Sequence, residues 1–190
     1  MNRKELKAQA KENIREQLGT LVLCALIYLI IYVGVSYIPK VDALVNVLIS
    51  GPLSVSLYYV FSKNAHKEEV EVRDLLYSVE NCLPQSFLLG LLVYVFTFLW
   101  ALLLIIPGFV KSYSYSMSYY ILQRNPDMSW REALNMSKEM MNGHKLELFV
   151  LHLSFIPWLL LCFLVFPALY VIPYMLETQT LFYQEIYSGK

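Results

Sequence analysis

Charged side chains are scarce in this 190-residue chain: they make up 16% of the residues, whereas 57% are hydrophobic. Soluble domains are closer to one quarter charged and one half apolar. Four stretches contain no Asp, Glu, Lys or Arg, namely residues 18–39, 43–62, 81–110 and 148–176. A helix that crosses the hydrocarbon core of a bilayer needs roughly 20 such residues. The scarcity of charge therefore excludes an ordinary soluble domain and predicts a chain that crosses a membrane several times.

Recognisable catalytic and ligand-binding motifs are also absent from the sequence. It contains no His-Glu-x-x-His pair, no nucleophile elbow and no phosphate-binding loop. The three histidines, His66, His144 and His152, are too scattered to share a metal ion, and the formal net charge is zero. A zero net charge gives no basic signal for nucleic acid. We therefore predict no catalytic residue, no metal, no cofactor and no nucleic-acid partner.

Cysteine is rare as well. Cys24, Cys82 and Cys162 form no Cys-x-x-Cys motif, and two of them lie within apolar stretches. Such residues usually act as small hydrophobic packing groups, so we expect no disulfide. The first apolar stretch lacks a clear small-residue cleavage site and follows a long charged segment, so we expect it to remain as a helix.

Three amphipathic segments are present, and each precedes a pair of apolar segments. Residues 2–17 carry an apolar stripe at intervals of four, and two later segments repeat the arrangement. The stripes are formed by Leu6, Ala10 and Ile14; by Val72, Leu75, Leu76, Val79 and Leu83; and by Trp130, Ala133, Leu134, Ser137, Met140 and Met141. One thin apolar face among charges is typical of a helix that lies on a membrane surface.

Local signals mark the ends of the third amphipathic segment. Ser129 and Glu132 have the Ser-x-x-Glu spacing of a capping box at a helix start. Gly143 is placed to end the same helix, because glycine tolerates the left-handed backbone that follows many helices.

The apolar segments predict six membrane-spanning helices, at residues 19–38, 41–62, 84–106, 105–123, 146–166 and 167–187. We expect Gly51-Pro52 to interrupt the second span, Pro107-Gly108 to separate the third from the fourth, and Pro157 to kink the fifth. The predicted fold class is an all-α membrane protein of six transmembrane helices, arranged as three hairpins that each follow a cytoplasmic interfacial helix.

Positive charge is distributed very unevenly around these spans. With the N-terminus in the cytoplasm, the fifteen Lys and Arg residues lie on the cytoplasmic side except Lys40 and Lys111. These two lie outside or near the outer membrane surface. Cytoplasmic loops of membrane proteins carry an excess of Lys and Arg. We therefore predict six spans with both termini in the cytoplasm. The main alternative is a fourth segment that re-enters the membrane without crossing it.

The chain also repeats its pattern three times. Residues 2–62, 68–123 and 127–187 each contain an amphipathic segment, an apolar span, a Pro or Gly break and a span with a polar line. We interpret residues 1–190 as a single polytopic membrane domain built from these units.

The stretch Ile105–Gln123 carries Lys111, four serines and four tyrosines directly after a long uncharged run. Polar side chains in hydrocarbon need a partner or a wet cavity. We expect the second, fourth and sixth spans to gather so that their polar lines face one another. The predicted polar centre comprises Asn46, Ser50, Ser54, Lys111, Ser114, Ser118, Glu177, Thr180 and Gln184.

Two interpretations of this polar centre stay open. The serines either bond to their own helix and to neighbouring helices as structural contacts, or line a hydrated pathway. Lys111 either extends to water at the membrane surface or pairs with Glu177.

Several motifs in the second half of the chain carry a family resemblance. They are Ile106-Pro107-Gly108, S-K-E-M-M-N-G-H-K at 137–145, Leu148-Phe149, L-S-F-I-P-W at 153–158, Ile172-Pro173-Tyr174 and Phe182-Tyr183. With them the chain resembles the bacterial domain-of-unknown-function family 975. The resemblance implies an integral membrane protein of bacteria, largely Gram-positive, and supplies no activity.

Taken together, the sequence predicts a multi-pass protein of the bacterial cytoplasmic membrane without catalytic activity. We expect a structural, interaction or lipid-associated protein of the envelope, with a small transporter or channel as the alternative. The expected partners are the lipid bilayer, anionic lipids that contact the basic amphipathic segments, or another membrane protein.

Overall fold

The computed structural model describes residues 3–36, 43–103, 105–161 and 165–189. Throughout these ranges the chain forms helices joined by short turns, and no strand occurs in them. The predicted all-α class is therefore confirmed. The helices are α1 (Arg3–Ser36), α2 (Ala43–Ala65), a 3-10 turn (Val72–Leu76), α3 (Tyr77–Asn81), α4 (Leu83–Leu103), α5 (Ile105–Tyr115), α6 (Ser118–Arg124), α7 (Trp130–Met140), α8 (Lys145–Leu153), α9 (Ile156–Leu161) and α10 (Val165–Ser188).

Helix α1 bends at Gln17, whose backbone leaves the helical region (φ −120°, ψ 24°). The bend lies at the predicted boundary between the amphipathic segment and the first span. We call residues 3–16 the N-terminal arm. Its apolar stripe is fully covered by protein, since Ala10 and Ile14 have no exposed surface. The stripe packs on the helix bundle, and the placement of the arm on a membrane surface stays a prediction.

The Gln17 side chain fastens the bend to the loop after α2. Its amide nitrogen donates to the Glu68 carbonyl at 2.8 Å, and its amide oxygen accepts from the Val70 N–H at 2.8 Å. Two backbone groups of the loop are thereby satisfied by one side chain.

Helix α2 runs without interruption through Gly51 and Pro52, so the predicted break there is wrong. The glycine serves a different purpose. A Cβ atom on Gly51 would lie 2.0 Å from the Ser86 carbonyl oxygen and 3.1 Å from the Gly90 Cα. Helices α2 and α4 therefore cross in backbone contact, as small residues allow in membrane proteins.

The segment 72–83 does not form the predicted single amphipathic helix. It is split into the 3-10 turn and α3, and of its predicted stripe Val72, Leu76 and Val79 are exposed while Leu75 is buried. The short elements are held by Ser78, whose N–H donates to Ser56 Oγ at 3.0 Å and whose hydroxyl donates to Ser86 Oγ at 2.8 Å.

The fourth and fifth apolar segments are broken, where continuous or merely kinked helices were predicted. Helix α5 ends at Tyr115 before α6 begins, and α8 ends at Leu153, ahead of Pro157. Ser116 and Ser154 lie at these two breaks, and their hydroxyls donate to carbonyls three residues earlier. Such local bonds compete with helical hydrogen bonding and favour a helix end.

The predicted capping box at α7 is confirmed. The Ser129 hydroxyl accepts from the Glu132 N–H at 3.3 Å, and the Ser129 N–H donates to the Glu132 carboxylate at 2.9 Å. Gly143 takes the positive φ of +89° in the turn after the helix. The apolar face of α7 packs on α6, α4 and α5, again within the protein.

Large apolar side chains cover much of the outer surface. On α1 and α4 they include Ile30, which is 66% exposed, and Phe98, which is 54% exposed; others are Leu29, Tyr32, Tyr94, Leu99, Leu146, Phe149, Leu153, Ile156 and Trp158. Within the described ranges, Arg3–Val35 and Leu83–Trp100 are long and apolar enough to cross a membrane, judged by length and composition. Two such helices are compatible with membrane association, and the arrangement of six crossings stays a prediction.

Candidate functional site

Three helices from different parts of the chain meet at a cluster of tyrosines. Tyr58 of α2 and Tyr120 of α6 both contact the ring of Tyr183 of α10, with centroid distances of 5.8 and 5.9 Å. Tyr120 and Tyr183 are completely buried, and the Tyr183 hydroxyl accepts from the Gln179 side chain at 2.7 Å. Aromatic rings therefore fill the space where these three helices approach one another.

The predicted serines of the fourth segment are buried and bonded to backbone carbonyls. Ser114 donates to the Val110 carbonyl at 3.0 Å, and Ser118 donates to the Tyr115 carbonyl at 2.6 Å. The hydroxyl of Ser137 on α7 donates to the Ser114 carbonyl at 2.8 Å and joins two helices. The serine hydroxyls therefore make structural hydrogen bonds within and between helices.

The one carboxylate of the predicted centre has partners that the sequence did not indicate. Glu177 has no exposed surface, and its Oε1 accepts from the Asn13 side chain of the N-terminal arm at 3.1 Å. Asn64 of α2 faces the same carboxylate and is 1% exposed. Glu177 thus lies where α1, α2 and α10 come together.

Several side-chain atoms of α2 and α10 are buried without a hydrogen-bond partner among the described residues. They are Glu177 Oε2, both polar side-chain atoms of Asn64, Thr180 Oγ1 and Gln184 Oε1. The Gln184 nitrogen lies 3.2 Å from His66 Nε2, at the end of α2. We call Glu177, Thr180, Asn13 and Asn64 the carboxylate cluster.

Lys111 and Glu177 have separate partners, so the hypothesis of a pair between them is wrong. The Lys111 ammonium nitrogen lies 4.8 Å from the centre of the Trp100 ring, a cation–π contact. The ion pairs between described residues lie elsewhere, at Lys63–Asp74, Arg73–Glu80 and His144–Glu147.

The remaining predicted residues are on the first half of α2, and all three are half-buried. Ser50 donates to the Val47 carbonyl at 2.7 Å, and Ser54 lies beside the Tyr28 hydroxyl of α1. Asn46 also takes part in at least one side-chain interaction. The nine predicted residues lie on four helices, α2, α5, α6 and α10, and their grouping into one polar centre stays a prediction.

Two lysines anchor the connecting segments at the same end of the bundle as the N-terminal arm. Lys7 donates to the Ser154 carbonyl at 3.1 Å and lies 4.0 Å above the Phe155 ring. Burial, followed by the nearby charge of Arg3, lowers the pKa of Lys7. Burial alone would also lower the pKa of Lys63, but its 2.9 Å bond to Asp74 raises it overall.

Three cavities in the described part of the chain lie away from the predicted centre. One of about 430 Å³ opens at the surface between α7 and α10, beside Glu139, His144 and Glu185. Another of about 250 Å³ lies between the N-terminal arm and α8, beside Arg3, Glu147 and Phe182. A third cavity of about 20 Å³ lies between α1 and α10. None of the nine predicted residues lines any of these three cavities.

Sequence reasoning missed Asn13 and Asn64. Asn13 lies three residues after Ala10, on the same helical face as the apolar stripe, and this position was the available signal. Asn64 was assigned to a loop because the second span was predicted to end at residue 62, whereas α2 continues to Ala65.

Comparison with known proteins gives one family. The family model described as "Protein of unknown function (DUF975)" matches residues 1–114 and 102–190, which together cover the whole chain. No curated protein and no solved structure matches the chain.

Proposed function

This chain belongs to the DUF975 family, and we propose that it is a non-enzymatic integral protein of the bacterial cytoplasmic membrane. In this proposal it acts as a structural, interaction or lipid-associated component of the envelope. The observation that carries the proposal is the contrast between surface and interior. Large apolar side chains such as Ile30 and Phe98 are exposed, while Ser118 and Glu177 have no exposed surface. That arrangement suits a hydrocarbon solvent.

The proposed topology has six membrane-spanning segments in a single domain, with both termini in the cytoplasm. Its main support is the charge distribution, because Lys40 and Lys111 are the only Lys or Arg residues assigned to the outside or to the region near the outer membrane surface. The bend at Gln17 also supports it, since it separates a charged arm from an apolar helix. The three predicted units, 2–62, 68–123 and 127–187, each contribute one hairpin.

Reporter fusions test this topology. Alkaline phosphatase is active only outside the cytoplasm, and green fluorescent protein fluoresces when fused on the cytoplasmic side. We expect phosphatase activity from a fusion after Lys40, and fluorescence from fusions after Lys67, Asp127 and Lys190. Fluorescence after Lys40 together with phosphatase activity after Asp127 would contradict the proposal, and a fractionation in carbonate would separately report whether the chain is integral to the membrane.

The proposed role rests on how the interior is filled. Tyr58, Tyr120 and Tyr183 pack where α2, α6 and α10 meet, and the hydroxyls of Ser114 and Ser118 are used by nearby carbonyls. A packed interior favours a structural or interaction role over transport. We propose that the exposed apolar residues at 72–79, next to the basic Arg73, contact lipid and that anionic lipid is the preferred partner.

A small transporter or channel is the alternative, and one observation favours it. Buried polar atoms without partners occur on α2 and α10, at Asn64, Thr180 and Gln184. A hydrated path would satisfy these atoms and would pass Asn46, Ser54, Lys111, Ser118, Glu177 and Thr180. Labelling of cysteines placed at Ser114 and Ser118 with a water-soluble maleimide separates the two functions.

A further inference from the structure

A buried carboxylate without a cationic side chain is the feature that the proposed function leaves unexplained. Glu177 is completely buried; among the described residues its carboxylate has one hydrogen bond, from Asn13, and the neutral amide of Asn64 lies beside it. A buried carboxyl group is neutral, is paired or binds a metal ion, because an isolated charge is very costly in a medium of low dielectric constant. Its single hydrogen bond, from Asn13 at 3.1 Å, uses only Oε1.

Most of the unsatisfied atoms in the carboxylate cluster are oxygens, and the exception is the amide nitrogen of Asn64. Glu177 Oε2, Asn64 Oδ1 and Thr180 Oγ1 are buried oxygens without a hydrogen-bond partner among the described residues. Thr180 lies three residues after Glu177 on α10, so both side chains project from one face of the helix. Native structures leave few buried polar atoms unsatisfied, and an ion or a water molecule is the usual explanation.

The geometry points to a binding site for an alkali-metal cation within the carboxylate cluster, with Glu177, Asn64 and Thr180 as its oxygen ligands. Hard cations prefer carboxylate, amide and hydroxyl oxygens, which are the groups present. A monovalent ion neutralises the single negative charge of Glu177. A divalent ion would leave one uncompensated positive charge in the same low-dielectric surroundings, where that charge is costly.

Such an ion would fasten three helices at one point. Glu177 and Thr180 belong to α10, Asn64 belongs to α2, and Asn13 connects Glu177 to α1. A ligand that binds only the folded state raises stability according to its concentration and dissociation constant. The protein should therefore be more stable in the presence of the ion than in its absence.

Thermal unfolding of the purified full-length protein in detergent tests this inference. We compare sodium chloride, potassium chloride and choline chloride at one ionic strength and one pH. At ten times the dissociation constant, the bound cation should raise Tm above the choline value by about 3–6 °C, and the rise should saturate. The alkali cation that raises Tm more is the preferred ion.

Variants then assign the effect to the cluster. Glu177→Gln and Thr180→Val should each abolish or strongly reduce the difference between alkali and choline salts. Glu185→Gln, an exposed carboxylate on the same helix, should leave the difference unchanged. If Glu177→Gln does not fold, Thr180→Val still tests the site. A full cation response in Thr180→Val would reject the assigned ligands.

Two results would overturn the inference. Equal Tm values of the wild-type protein in all three salts would mean that water or a proton satisfies these oxygens. A full cation response in Glu177→Gln would place the ion elsewhere in the protein.

Discussion

Replacing Gly51 with Ala is expected to lower the stability of the protein by about 3 kcal/mol, at the upper end of the usual range for overpacking. The added Cβ would lie 2.0 Å from the Ser86 carbonyl oxygen and 3.1 Å from the Gly90 Cα. Both neighbours are backbone atoms of α4, so α2 and α4 must move apart to accommodate one methyl group. The Tm in detergent should fall by roughly 6–12 °C.

Gly34→Ala is the matched control for this prediction. A Cβ on Gly34 meets no atom within 4 Å, and the residue also lies inside a helix. Alanine is the better helix former by roughly 0.5–1 kcal/mol, so this variant should keep or slightly raise Tm. If Gly51→Ala and Gly34→Ala behave alike, α2 and α4 do not cross in backbone contact.

Replacing Tyr183 with Ala is expected to cost about 3–5 kcal/mol, the range for removing a buried aromatic side chain. Tyr183 has no exposed surface and contacts the rings of Tyr58 and Tyr120, so its loss leaves a cavity between α2, α6 and α10. The change also removes the hydroxyl that accepts from Gln179. Chemical or thermal unfolding in detergent measures the effect.

Two comparisons separate the packing of Tyr183 from general effects of losing a tyrosine. Tyr183→Phe keeps the ring and loses one hydrogen bond, so it should cost only about 1 kcal/mol. Tyr94→Ala removes a ring that is 51% exposed on α4 and should be close to neutral. A loss in Tyr94→Ala as large as that in Tyr183→Ala would mean that the tyrosine cluster does not hold the helices together.

Features set by neighbouring residues in sequence could be predicted well. The capping box of Ser129 and Glu132 needs only the spacing of two side chains, and the boundary near Gln17 follows from a change in composition. The helical class follows from long apolar segments that can satisfy their own backbone hydrogen bonds.

Features that depend on distant residues could not be read from the chain. The purpose of Gly51 becomes visible only when Gly90 lies against it, and without that contact Gly51-Pro52 resembles a helix break. The bond from Asn13 to Glu177 joins residues 164 positions apart. Serine hydroxyls at the breaks near Ser116 and Ser154 bond to carbonyls three residues earlier, but Ser50 makes the same bond inside the uninterrupted α2, so this signal alone does not locate a break.

The proposed structural role requires a packed interior without a water path between α2, α6 and α10, and thiol labelling tests this requirement most directly. In a background with the three native cysteines replaced, Ser114→Cys and Ser118→Cys are compared with Glu69→Cys, which lies in an exposed loop. We predict that Glu69→Cys reacts with a water-soluble maleimide in native membranes, whereas the two interior cysteines react only after unfolding. Labelling of both interior cysteines at the rate of Glu69→Cys in native membranes would contradict the claim and favour transport.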